Sequence, residues 1–97
     1  MSGRIRVTPA ELDGMSGRYS NEKGKLESQI GDLDGMIREL ESMWEGESSR
    51  AFSDQYERLR PSFVEMQELL GDISLQLKNT ARAIEDADNQ IASQIRG

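Results

Sequence analysis

Apolar residues punctuate the first half of the chain at Leu12, Met15, Tyr19, Leu26, Ile30, Leu33, Ile37, Leu40 and Trp44. Their gaps alternate between three and four, with one lapse at Glu22 and Lys23, which is the spacing of one stripe along an α-helix that faces a partner. After Gly46 the pattern restarts with greater regularity. Phe52, Tyr56, Leu59, Phe63, Met66, Leu70, Ile73, Leu77, Thr80, Ile84, Ala87, Ile91 and Ile95 advance by fours and threes, the seven-residue repeat of coiled-coil-like packing.

Boundary residues agree with this division. In "TPAE", Thr8 can cap a helix, Pro9 suits the first helical position, and Glu11 completes a capping box. Gly46 can take a left-handed conformation and end the first helix, and Ser48 or Ser49 can cap the second. Pro61 predicts a kink rather than a break, because the stripe keeps its phase across it. The expected layout is an extended segment 1–8, helix one over 9–45, a turn at 46–48 and helix two over 49–95. Helix one carries glycines at 14, 17, 24, 31 and 35, each costing about 1 kcal/mol relative to alanine, so it needs tertiary contacts to persist.

The pattern therefore predicts an all-α fold, an antiparallel two-helix hairpin. The indole of Trp44 is expected to point into the hairpin at the bend. Two helices alone leave half of each stripe wet, and Met36, Met43, Val64, Leu69 and Leu75 widen the apolar faces further. Pairing of two hairpins as a four-helix-bundle homodimer resolves this. Its expected core comprises Leu26, Leu33, Ile37, Leu40, Phe52, Leu59, Phe63, Met66, Leu70 and Ile73. A related hairpin is a second partner that the stripes would accept.

The hairpin geometry also isolates the end of the chain. With a bend near residue 46, position k lies opposite about 92 minus k, so the start of helix one faces about residue 83. From about residue 84 helix two overhangs, yet its apolar spacing continues through Ile84, Ile91 and Ile95, with Asp88 beside them. A periodic apolar stripe on an overhanging helix asks for a binding partner. Three coverings are open: the N-terminal segment through Ile5 and Val7, the dimer mate, or an external receptor.

Composition narrows the chemistry. The 97 residues make one small domain without cysteine or histidine, which removes disulfides, thiolate chemistry and the usual general base and zinc ligand. A net charge of −6 opposes binding to nucleic acid and to anionic bilayers. No apolar run is long enough for stable membrane insertion, and the opening "MSGRIRVTPAEL" lacks the apolar core of a signal peptide. Composition alone thus points to the cytosol. No cofactor, metal site or catalytic residue is expected; "DADNQ" has oxygen donors but neither the glycine nor the final glutamate of a calcium loop.

One motif reverses the cytosolic reading. The hairpin length, the bend "MWEG" with Trp44 and Gly46, the start "IRVTPAEL", the segment "AFSDQYERLRPSF" and the close "IASQIRG" resemble the WXG family of small type VII (ESX) secretion substrates. The resemblance implies export without a cleaved signal peptide. It also implies that an FtsK/SpoIIIE-type membrane ATPase recognises the tail, where Ile84, Asp88, Ile91 and Ile95 match the family's acid-and-hydrophobic export pattern. The related tyrosine signal is absent, since Tyr19 is followed four residues on by Lys23 and Tyr56 by Arg60. The competing function is a cytosolic scaffold or chaperone that binds other helical proteins through the same stripes.

Overall fold

A computed structural model describes residues 7–44 and 46–96. They form two helices, α1 (Pro9–Met43) and α2 (Glu47–Arg96), folded against each other as an antiparallel hairpin. The molecule measures 76 × 26 × 15 Å, and its long dimension is close to the length of α2, about 75 Å at 1.5 Å per residue.

The start of α1 follows directly from local chemistry. Thr8 accepts from the Glu11 backbone N–H at 3.1 Å, and the Glu11 carboxylate accepts from the Thr8 backbone N–H at 3.0 Å. With Pro9 contributing no N–H to be left unpaired, the first turn loses little at its exposed end. At the other end Trp44 adopts an extended conformation, and its N–H still reaches the Leu40 carbonyl at 3.0 Å. Gly46 then takes a φ of +130°, a backbone state that a side chain would strain. Helix α2 starts at Glu47, so Ser48 and Ser49 lie inside its first turn instead of capping it, and the buried Ser49 faces the hairpin. Beyond the bend α2 runs unbroken through Pro61.

The register between the helices is set by named pairs. Ser16 meets Ser74, Lys23 lies on Gly71, Glu27 accepts from Gln67, and Asp34 pairs with Arg60. Each pair adds to within about two of 92, as a bend at residue 46 requires. Ser16 and Ser74 form a reciprocal clasp in which each hydroxyl donates to the other residue's carbonyl at 2.8 Å. Side chains this small let the two backbones come close. Gly71 makes room for the Lys23 side chain, since a Cβ there would meet its stem at 3.2 Å.

The core is a thin seam. Ile30 and Ala81 are its buried apolar residues, and Leu26, Leu33, Ile37, Leu40, Phe63, Leu70 and Ile73 are half-buried around them. The other three expected core residues behave differently. Phe52, Leu59 and Met66 are exposed along one flank of α2, because a lone partner helix covers only a narrow strip of its neighbour.

Candidate functional site

Two regions carry the sequence-predicted site residues, the bend and the free end of α2, and they lie at opposite ends of the hairpin. At the bend, Trp44 stacks obliquely on Phe52 with ring centroids 5.5 Å apart. Its indole does not enter the hairpin as expected; it stays 38% exposed. The reason is geometric. Trp44 is the extended cap of α1, so its side chain leaves the helical stripe, and no third layer exists beyond the turn to cover it. Together with Glu41, Gly46, Ser49 and Arg50 it borders an open concavity at the tip.

A polar node joins the two helices about three turns in from the bend. Arg60 grips Asp34 through two parallel bonds of 2.9 Å, and the Tyr56 hydroxyl donates to the same carboxylate. The guanidinium, helped by the phenol, holds the Asp34 carboxyl at about 2, below its ordinary 3.8. Burial, then the bonded Asp34 carboxylate, pushes the Tyr56 phenol upward, and Asp34 likewise raises Arg60. The node fastens the helices and leaves no group free for acid–base work, since each partner is stabilised in its ordinary charge state.

At the far end, packing stops with Ala81 and the half-buried Ile84. By the register above, Pro9 faces about residue 83, so the last turns of α2 pass beyond α1 by roughly 20 Å. Every residue from 85 to 95 is exposed, with Ile91 at 55% and Ile95 at 80%. Ile84, Ile91 and Ile95 recur at helical spacing along one side, with the exposed Asp88 next to them. Val7 is exposed in the hairpin, whereas Ile5, the other residue expected to fold back on this stripe, lies outside the described residues, as does Glu45. Among the described residues there is no candidate metal cluster and no helix long and apolar enough to cross a membrane.

The length, the centred bend and the lone tryptophan two residues before a positive-φ glycine coincide with a family model described as proteins of 100 residues with WXG, which matches residues 4–89. The chain belongs to the WXG100 family. Protein YukE of Bacillus subtilis (strain 168) is 52% identical over 97 residues, covering all of both chains. Type VII secretion system extracellular protein A of Staphylococcus aureus (strain USA300) is 28% identical over 89 residues, 92% of each chain. Among solved structures, Geobacillus thermodenitrificans EsxA superposes with a TM-score of 0.87 at 48% identity, covering 94% of this chain and all of that one. The all-α hairpin is therefore shared with the solved EsxA structure.

Sequence reasoning missed Ser16, Ala81, the burial of Ser49 and the Asp34–Tyr56–Arg60 node. The signal for the clasp was present: Ser16 and Ser74 occupy the mutually facing positions that a bend at residue 46 defines. Small polar residues simply carry no weight in an apolar periodicity.

Proposed function

We propose that this protein is a non-enzymatic secreted substrate and component of a type VII secretion system, exported as a folded helical dimer. Its C-terminal helix is the element recognised, by an FtsK/SpoIIIE-type membrane ATPase. The observation that carries this reading is the overhang: an apolar stripe that starts at the half-buried Ile84, at the edge of α1, and continues through the exposed Ile91 and Ile95 on helix that α1 does not reach. Such a stripe suits helix-in-groove binding, with the isoleucines entering an apolar pocket and Asp88 setting orientation. The extracellular designation of the Staphylococcus aureus relative supports the destination.

Self-association rests on a second surface. On α1, Met15, Met36 and Met43 lie to one side of the line formed by Ser16 and Ile30, at 100° per residue. On α2, Phe52, Leu59 and Met66 recur every seven residues on the flank that an antiparallel partner turns to that same side. All six are exposed. A seven-residue apolar repeat on a helix is a seam for another helix, and the opposite side of the hairpin carries Asp34, Arg38, Glu41, Glu57 and Arg60 instead. Two copies joined through their apolar sides complete the four-helix bundle.

Fractionation of culture supernatant, with a cytosolic lysis marker, tests the export reading. Removal of residues 84–97, or the double change Ile91→Ala with Ile95→Ala, is expected to abolish release while the remaining hairpin stays folded and dimeric. Normal release of the folded double variant overturns the tail's role. A wild-type chain that never leaves the cell favours a cytosolic scaffold.

A further inference from the structure

The apolar side carries an unusual share of sulfur. Met36 is 60% exposed, Met43 77% and Met66 51%, while Met15 is more sheltered in the concavity it shares with Tyr19 and Leu70. Met36 and Met43 are one heptad apart on α1; Met66 is one heptad beyond Leu59 and two beyond Phe52 on α2. The chain has no cysteine, so thioethers are its whole supply of oxidisable sulfur. We propose that Met36, Met43 and Met66 form an oxidation site whose conversion to sulfoxides separates the paired hairpins. The inference rests on the self-association read from the same side of the molecule.

The chemistry needs a two-electron oxidant of the peroxide class, supplied from outside. A sulfur lone pair attacks one peroxide oxygen, the O–O bond breaks, and an S–O bond forms. The other oxygen departs with the O–O electron pair and takes the proton of the transferred oxygen to become water, so sulfur loses two electrons and the peroxide gains them. Methionine enters an apolar seam readily because it is flexible and uncharged, but its sulfoxide is polar and brings a strong acceptor that costs free energy to take out of water. Three such groups on one side oppose the burial that drives pairing. Pairing in turn shields the sulfurs, so the free hairpin is the species oxidised, and each oxidation holds it in the free state.

The test uses the full chain with hydrogen peroxide as the probe, peptide mapping by mass spectrometry, and sedimentation to follow the dimer. Met36, Met43 and Met66 are expected to gain oxygen ahead of Met15, and more slowly as protein concentration rises. The dimer Kd should increase by at least about tenfold. Treatment with methionine sulfoxide reductases should restore it. A Met36→Leu, Met43→Leu, Met66→Leu variant should dimerise and ignore peroxide. An oxidised chain that pairs with unchanged Kd overturns the oxidation site and leaves the secretion reading standing. So does a leucine variant that dissociates in peroxide as the parent does, or a loss of helix content in step with dissociation, which would mark general unfolding. An untreated chain that is monomeric at micromolar concentration overturns both the site and the self-association beneath it.

Discussion

Helix α2 carries one repeat with two fates. From Ser49 to Ala81 its inward positions meet α1, and they are buried or half-buried against named partners. From residue 85 to residue 95 the same spacing of isoleucines continues, and every position is exposed. Nothing in the helix itself marks the change. The boundary comes from the length of α1, which begins at Pro9 because Thr8, Pro9 and Glu11 start a helix there. A periodic apolar stripe therefore specifies a surface, and the reach of the neighbouring helix decides whether that surface holds the fold together or is offered to something else.

This contrast can be broken most forcefully in the covered part. Replacing Ile30 by alanine removes the best-buried large side chain of the seam and should destabilise the hairpin by about 2–5 kcal/mol, read from chemical denaturation. The matched change Ile95→Ala in the overhang should move stability by no more than about 0.5 kcal/mol. Equal losses at the two sites would mean that the tail is packed after all.

The ionic brace gives a second, pH-dependent contrast. Because Asp34 titrates at about 2 in the folded chain and near 3.8 ordinarily, folding favours its charged form. Its contribution is complete above the ordinary value and is lost as pH falls from about 3.8 towards 2. Thermal melts should show the parent exceeding Asp34→Asn at neutral pH, with the difference shrinking through that window. A constant difference down to pH 2 would remove the brace from the account.

A small expected effect in α1 has the opposite sign. An added Cβ at Gly24 meets nothing within 4 Å, so Gly24→Ala should stabilise the hairpin by about 0.5–1 kcal/mol through α1 propensity alone. The same change at Gly71 presses on the Lys23 stem, and at Gly46 it strains a φ of +130°, so neither should give that gain. Differential scanning calorimetry of the three variants separates these cases.

Much of the molecule was legible in the order of its residues. The capping box at Thr8, the two stripes, the reversal between Trp44 and Gly46, and the consequent overhang all follow from local rules: a helix repeats every 3.6 residues, and equal rise on both arms sets which positions face each other. The helical spacing of Ile84, Ile91 and Ile95 along the tail was legible for the same reason. The tertiary structure alone decided how each helix is rotated about its axis. That rotation sends Phe52, Leu59 and Met66 to an exposed flank, leaves the Trp44 ring against Phe52 at an open tip, and brings Asp34 to Arg60 and Ser16 to Ser74. Periodicity defines a stripe to within a turn or so of arc. Hydrogen bonds of 2.8–2.9 Å and the fit of small residues at a close approach depend on both helices at once, and are settled only when they meet.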